Sequence, residues 1–318
     1  MERRQFIKKN TGLLATIPFI NLQPHSIFDL MDTEIFKCKI GGFECTIFKD
    51  LMFTYQAKDY FINADKSELN DALNKYQVDP ESIPSPYIAM LLQNGNQKIL
   101  IDSGIGFSEE PIVFKGKTFV LKGKLKQLLA KENIDTDNIT DVVITHFHPD
   151  HIGGVHSSDG QLVFRNAKFH IHQDEWDFWH TSKSDSQPPL FKFFIEKNIT
   201  PLKNGNLNLI TQDYQKISKG LISVNAQGHT AGQIALIIGE ERERLLYISD
   251  AFLHPLHIEQ LHWRTNFDLD HKKAKDTRSK LLELAEKESM KINAFHFDFP
   301  GLGFAERNGQ KWKWIYDG

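Results

Sequence analysis

The segment Thr145-His146-Phe147-His148-Pro149-Asp150-His151-Ile152-Gly153-Gly154 holds three histidines and one aspartate within six residues. It follows the apolar run Val142-Val143-Ile144, which is typical of a buried strand. In extended backbone its first two histidines project to the same side. The proline suits the first position of a helix, so the Asp-His pair behind it falls in the first helical turn. We therefore expect one short loop to offer two histidines to one metal ion and an aspartate and a histidine to a second.

The composition makes histidine the residue type to follow. The chain has 318 residues, 40% of them hydrophobic, which is enough apolar material for a sizeable core. It has 14 histidines but only 2 cysteines, too few for a disulfide framework or a thiolate metal cluster. Cys38 and Cys45 flank Gly41-Gly42, so we expect them to face each other across a hairpin as free thiols. The formal net charge of −3, with no basic stripe, argues against a nucleic-acid partner.

Residues 1–30 form a segment of a different character. Arg3 and Arg4 are followed by Phe6 and Lys8, and then by a short apolar run. This pattern resembles a twin-arginine export signal, which would carry the folded, metal-loaded protein to the periplasm. The alternative is a disordered, basic start to a cytoplasmic protein. The run is too short for a stable membrane span, and no other segment comes near the required length.

Residues 31–318 are expected to form one α/β domain without a linker or an internal repeat. Glycine pairs or an Asn-Gly pair predict hairpin turns at Gly41-Gly42 and Asn94-Gly95. Strands and helices are mixed and often joined by hairpins, which favours helix-covered sheets over a doubly wound parallel sheet. The other expected elements are helices over about 66–76 and 272–288, a helical leucine pattern over 121–129, strands over 142–144, 221–224, 234–238 and 245–248, and a last buried strand ending at Phe295.

The order His-x-His-x-Asp-His after a buried strand, with two glycines behind it, resembles the signature of the metallo-β-lactamase superfamily. The other motifs of that family match in the family's order over most of residues 35–318. These motifs are Ile101-Asp102-Ser103-Gly104, Gly228-His229-Thr230-Ala231-Gly232, Ser249-Asp250 and His296.

The resemblance implies an αββα four-layer sandwich and a site for two divalent metal ions. Asp102 would support the site from behind the ligands. Imidazole and carboxylate ligands make zinc the default metal, although iron, manganese and cobalt also accept them. By this resemblance the first metal takes His146, His148, His229 and Asp250, and the second takes Asp150, His151, His296 and Asp250.

Several residues favour one branch of the superfamily. True β-lactamases of this fold carry cysteine or serine where this chain has Asp250, and flavodiiron-type oxidoreductases carry glutamate where it has His148. A bridging aspartate is typical of lactonases, glyoxalase II, phosphodiesterases and phosphotriesterases. The chain resembles the methyl parathion hydrolase and lactonase-like branch at residues 61–64, 252–255, 294–304 and 312–314.

The function implied by this resemblance is hydrolysis of an ester, lactone or phosphotriester in a small, fairly apolar substrate. Hydroxide that bridges the two metals would attack the carbonyl carbon or phosphorus, and Asp150 would orient this nucleophile and shuttle its proton. The alternatives are a glyoxalase II-like thioesterase, a nuclease, and a non-catalytic metal-binding member of the fold. The acidic charge balance makes the nuclease the least favoured enzyme.

The sequence suggests roles for several further residues, but it does not identify the residues that bind the substrate. Relatives are often homodimers, and the stretch from about 54 to 86 is a candidate interface arm. The remaining expectations concern His170 and His172 as structural strand residues, His254 and His257 as pocket-lining or buried residues, Glu175, Trp176, Phe178 and Trp179 as an aromatic packing face or a substrate wall, and Phe299 and Leu302 as a hydrophobic rim.

Overall fold

Two seven-stranded sheets that pack face to face form the centre of the fold. The computed structural model describes residues 33–114, 117–204, 206–240, 243–309 and 311–317. The predicted export signal over residues 1–30 lies outside these ranges. Among the described residues, no helix combines the length and the apolar character needed to cross a bilayer.

The first sheet begins with three antiparallel pairings and ends with three parallel ones. A separate ribbon pairs β5 (Ile112–Phe114) with β6 (Lys117–Phe119). The sheet contains, in spatial order, β1 (Ile35–Ile40), β2 (Phe43–Tyr55), β3 (Ile83–Asn94), β4 (Gln97–Ile101), β7 (Asp141–Val143), β8 (Lys168–His172) and β9 (Leu207–Ile210).

The second sheet is antiparallel except for one parallel pairing, between β13 and β14. Its strands follow one another in space as they do in the sequence. They are β10 (Lys216–Ser218), β11 (Leu221–Asn225), β12 (Ile234–Ile238), β13 (Leu245–Tyr247), β14 (Lys291–Asn293), β15 (Leu302–Asn308) and β16 (Lys311–Tyr316).

The α-helices of the described residues are mostly short, and two of the longer ones begin at a capping aspartate. Asp65 accepts hydrogen bonds from the backbone N–H groups of Ser67 and Glu68, and Asp270 accepts one from the backbone N–H of Lys273 at the start of the longest helix. The helices are α1 (Ala57–Tyr60), α2 (Lys66–Lys75), α3 (Leu125–Lys131), α4 (Pro149–Ile152), α5 (Gln173–Trp179), α6 (Pro189–Asn198), α7 (Pro255–Glu259) and α8 (His271–Lys287).

Strand β12 shows how the layers are built. Its residues alternate between two cores because successive strand side chains point to opposite faces. Ile234, Leu236 and Ile238 join the core between the two sheets. Ala235 and Ile237 join a second core, to which α8 contributes its buried leucines. Since α3 and α6 add buried residues to the core of the first sheet, the predicted αββα sandwich is confirmed.

Both predicted hairpins are present. β1 and β2 turn at Gly41-Gly42 and place Cys38 opposite Cys45, and both thiols are free. β3 and β4 turn at Asn94-Gly95. The helices expected over 66–76 and 272–288 correspond to α2 and α8.

The prediction of the last strand is wrong, because β15 and β16 follow β14 as a further hairpin. Trp312 and Trp314 on β16 are buried, while Lys311 before them and Lys313 between them are exposed, and this alternation is the sequence signal for the strand. The leucine pattern over 121–129 is helical only from Leu125 onward.

The carboxyl ends of four strands meet at one edge of the sandwich. β4 and β7 are parallel neighbours in the first sheet, and β13 and β14 are parallel neighbours in the second. Parallel neighbours end at the same side of a sheet, so the residues that follow them come together. The sheets are joined there by a hydrogen bond from Ile234 N to the Thr145 carbonyl and by the hydroxyl pair of Thr145 and Ser249, 2.8 Å apart.

Asp50 on β2 fixes two connections next to this edge. Its side chain is buried and accepts hydrogen bonds from the backbone N–H groups of Ile105 (2.8 Å) and Leu125 (2.7 Å). A Cβ at position 104 would lie 2.4 Å from this carboxylate, and φ there is +71°, so the position requires glycine. Burial raises the pKa of Asp50 from 3.8 to about 6.

A pH-dependent difference in stability is expected between the wild type and Asp50→Asn. The pKa of Asp50 is higher in the folded than in the unfolded chain, so the folded protein binds this proton more tightly. As pH falls from 7 toward 4, the wild type should gain free energy of unfolding relative to the variant, by at most about 1.4 kcal/mol per pH unit. Urea unfolding of both metal-free proteins at several pH values measures this. A constant difference over that range would contradict the assignment.

Candidate metal centre

Four buried side chains form a first candidate metal cluster at the shared edge. His146 and His148 follow β7, His229 stands between β11 and β12, and Asp250 follows β13. One ligand atom from each lies within 4.8 Å of the others. Nε2 of His229 is 2.9 Å from Nδ1 of His148 and 3.6 Å from Oδ2 of Asp250. Three imidazoles thus converge on one carboxylate.

A second cluster shares that carboxylate. It consists of Asp150 and His151 on α4, His296 after β14, and Asp250 again. Nε2 of His296 lies 3.0 Å from Oδ2 of Asp250 and 3.5 Å from Oδ2 of Asp150. Nε2 of His151 lies 3.3 Å from Oδ1 of Asp250. The structure therefore gathers all seven residues that the sequence motifs single out as ligands, with Asp250 between the two groups.

The donor atoms fit divalent cations. Within the part of the chain that the structure describes, His146 Nε2, His151 Nε2 and Asp250 Oδ1 are buried and have no hydrogen-bond partner. Buried polar atoms without partners are costly, so three such atoms within the two clusters are consistent with residues that ligate metal ions. Nitrogen and oxygen donors without thiolate suit zinc and other first-row divalent metals.

The pKa shifts of His146, His148 and Asp250 favour the protonation states that bind a cation. Burial lowers the pKa values of His146 and His148 well below the usual value, so these imidazoles stay neutral and keep a lone pair for a metal. Burial opposes ionisation of Asp250, yet His296 and His151 hold its pKa well below the ordinary range. Burial raises the pKa of Asp150.

Asp102, directly after β4, contacts the second cluster from behind through His151. The carboxylate accepts hydrogen bonds from the backbone N–H of Thr145 (2.9 Å), from the hydroxyl of Tyr247 (3.0 Å) and from Nδ1 of His151 (2.9 Å). Engagement of Nδ1 leaves Nε2 of His151 free to face Asp250. Asp102 and Ser249 adopt φ values of +58° and +47°, which are uncommon for residues other than glycine and are typical of functional sites.

The sequence did not predict the residues behind His229 and His296. Oγ of Ser85 lies 2.9 Å from Nδ1 of His296 and 2.7 Å from the hydroxyl of Tyr60. Asp268 approaches Nδ1 of His229 to 3.1 Å and forms a buried ion pair with a guanidinium, at 2.8 Å. That guanidinium belongs to Arg278 on α8. These partners are far away in the sequence and belong to no motif, so only the fold reveals them.

A cavity of about 390 Å³ opens onto both clusters. Its walls are mainly apolar and aromatic, and among the described lining residues there is no lysine or arginine. The hydroxyls of Tyr55 and Tyr87 lie 2.7 Å apart at the wall near His296. The residues lining the cavity besides the metal-ligand candidates are Leu51, Phe53, Tyr55, Tyr60, Tyr87, Ile105, Val120, Leu121, Pro149, Leu190, Phe191, Phe194, Leu253 and Phe267.

The predicted hydrophobic rim is wrong. Leu302 is buried in the core between the sheets, because it belongs to strand β15. Phe299 packs against that core, with Lys49 Nζ 5.3 Å from its ring centre. The buried alternative applies to His254 and His257. Neither of them lines the cavity: His254 caps α7 through Leu256 N, and His257 Nε2 lies 2.9 Å from the Tyr60 carbonyl.

The strand histidines are structural, as expected. His170 Nε2 lies 2.7 Å from Asp141, and His172 Nδ1 accepts the N–H of Asp174 at the start of α5.

Aromatic side chains of helix α5 pack against neighbouring residues and line a cavity. Trp176 stacks on His180. Phe178 and Trp179 line a second cavity of about 300 Å³, which also reaches His148 and His229.

The role of Asp102 can be tested with a matched pair of variants. Asp102→Asn removes a carboxylate that touches His151, and Asp141→Asn removes one that touches His170, away from both clusters. Partners behind a ligand typically contribute 10- to 100-fold to metal affinity, so we expect about that loss at the second cluster in Asp102→Asn and none in Asp141→Asn. Metal stoichiometry after dialysis against a chelator measures the effect. Equal retention by both variants would contradict it.

The chain matches a family model and is similar to several solved structures. The family model described as "Metallo-beta-lactamase superfamily" matches residues 84–292. No curated protein is significantly similar to the chain. The dizinc quorum-quenching lactonase AidC, in complex with a product, is 24% identical with a TM-score of 0.77, over 89% of this chain and 97% of that one.

Two further solved structures share the fold. The hydrolase AbOPH of the β-lactamase superfamily is 23% identical with a TM-score of 0.77, over 90% of this chain and 98% of that one. A probable metal-dependent hydrolase from Staphylococcus aureus is 19% identical with a TM-score of 0.73, over 88% of this chain and 98% of that one. The family model covers more than half of the chain, and its residues include all but one of the candidate ligands. The chain therefore belongs to the metallo-β-lactamase superfamily.

Proposed function

We propose that the protein is a dinuclear metal-dependent hydrolase that cleaves an ester, lactone or phosphotriester bond in a neutral, largely apolar substrate. One observation carries this proposal. Two ligand clusters share Asp250 and face a cavity whose other walls are almost entirely apolar or aromatic. A reactive centre with two cations at the base of an apolar cavity suits a substrate with a polar, cleavable group on an apolar body.

In the proposed reaction the metal ions activate the water and side chains of the protein handle its proton. When bound, two divalent cations supply Lewis acidity and make a shared water acidic enough to provide hydroxide near neutral pH. Asp150 lines the cavity, so its carboxylate is placed to accept a proton beside the site of attack. Nε2 of His151 and Nε2 of His296 flank this carboxylate at 3.8 and 3.5 Å. No serine or cysteine nucleophile is required.

The cavity walls favour neutral substrates. Glutathione thioesters and nucleic acids carry several negative charges, which need basic side chains nearby. Of the residues that the structure places around the cavity, none is lysine or arginine. A long acyl chain or an aryl group instead gains from contact with Phe191, Phe194 and Phe267. AidC, a dizinc quorum-quenching lactonase that shares the fold, supports zinc as the metal and a lactone as one of the bonds cleaved.

A small substrate panel tests the proposal. The metal-loaded protein from about residue 31 onward is given a long-chain acyl lactone, an aryl ester, an aryl phosphotriester and a glutathione thioester. We expect turnover of at least one of the first three, and a loss of about 10²-fold or more in His151→Ala together with loss of the second metal, because its charge stabilisation is removed.

The other possible results of the substrate panel point to different functions. Turnover of the thioester alone would favour a glyoxalase II-like enzyme and contradict the proposal. No turnover across the panel with two metals bound would favour a non-catalytic member of the fold or another substrate class. Near-normal turnover with both metals lost would contradict the mechanism itself.

A further inference from the structure

Glu175 on α5 is a buried carboxylate, 1% exposed, and the structure gives it no cationic partner among the described residues. It is nevertheless fully hydrogen-bonded. Oε1 accepts from the backbone N–H of Phe147 (3.0 Å) and from the indole of Trp179 (2.9 Å). Oε2 accepts from the hydroxyl of Thr230 (2.7 Å) and from the backbone N–H of Gly232 (2.7 Å). Four donors on one buried carboxylate make a rigid junction.

Three of the four donors come from the two loops that carry the imidazoles of the first cluster, and the fourth, the indole of Trp179, lies on α5 itself. Phe147 stands between His146 and His148, so its peptide is part of the backbone that aims both rings. Thr230 follows His229 directly. The second cluster has different supports, since Asp102 contacts His151 and Ser85 contacts His296. Glu175 therefore contacts the backbone of the first cluster alone.

The backbone of α5 also lies unusually close to the histidine loop. A Cβ at position 232 would lie 2.2 Å from the amide nitrogen of Glu175, so only glycine lets the loop reach the carboxylate. The main chain and the side chain of Glu175 thus hold the loop together. This close contact with Glu175 explains why glycine stands at position 232, the end of the Gly-His-Thr-Ala-Gly motif.

We propose that Glu175 is a positioning residue that fixes the three histidines of the first metal cluster, so that its removal weakens metal binding there and spares the second cluster. The proposal rests on the dinuclear centre of the proposed function. Precise placement matters because ligand distances to a divalent ion vary by only a few tenths of an ångström.

Glutamine is the informative substitution because it keeps the shape and changes only the hydrogen bonding. Three of the four donors are N–H groups, on Phe147, Gly232 and Trp179, which cannot accept a hydrogen bond. Whichever way the amide of Glu175→Gln turns, its NH₂ group opposes at least one of them. We expect one or both histidine loops to move away from α5.

The experiment loads wild type, Glu175→Gln and Glu196→Gln with cadmium-113 and records one resonance for each cluster, assigned with His151→Ala. Glu196 is an exposed glutamate on α6, so its variant controls for the loss of a carboxylate. Chelator competition then gives the affinity of each cluster. We expect about a 10- to 100-fold loss at the first cluster in Glu175→Gln, less than about threefold at the second, and no change in Glu196→Gln.

The remaining outcomes distinguish placement of the first-cluster histidines from a general effect on the stability of the protein. Equal weakening of both clusters, or an unchanged first cluster, would overturn the proposal. If Glu175→Gln does not fold, Thr230→Val removes one of the four hydrogen bonds at nearly constant volume. A smaller loss confined to the first cluster supports the proposal in that case, and no loss overturns it. A wild type that binds no cadmium contradicts the proposed function, whereas two tightly bound ions in Glu175→Gln contradict this inference alone.

Discussion

The arrangement of the whole site depends on one carboxylate, that of Asp250, which stands between two groups of histidines. Burial alone would keep this side chain protonated, but His296 and His151 hold its pKa well below the usual range. Neighbouring imidazoles cannot all be protonated in so small a volume, because like charges repel and burial disfavours each charge. A pair of divalent cations removes the conflict, since neutral imidazoles and charged carboxylates are the ligands that such ions accept.

The topology of the two sheets places this carboxylate between the two histidine groups. Asp102, Asp250 and His296 each follow a strand, and the parallel pairings of β4 with β7 and of β13 with β14 bring those strand ends together. Carboxylates behind the ligands then fix the rings: Asp102 holds His151 and Asp268 holds His229. Such layers of support set the angle at which each nitrogen meets an ion. The apolar cavity in front of the clusters adds selection by shape and by charge.

The candidate ligands in residues 146–151 could be predicted because they lie in one short loop behind a strand, whereas His229, Asp250 and His296 were implied by the resemblance to the family's motifs. The sheets could be predicted from hairpin turns and alternating residues, although the final hairpin with Trp312 and Trp314 was missed. The supports were harder to predict. Ser85 is 211 residues from His296, and a contact over that separation leaves no local pattern. The cavity could not be derived either, since α6 and the end of β2 meet there only after folding.

The most direct test of the shared carboxylate is anomalous diffraction from zinc-loaded crystals, recorded on both sides of the zinc absorption edge. We expect two anomalous peaks about 3.5–4 Å apart, one on each side of Asp250. The first should be surrounded by His146, His148 and His229, and the second by Asp150, His151 and His296. A single peak, or two peaks of which only one touches Asp250, would contradict a dinuclear centre built on this residue.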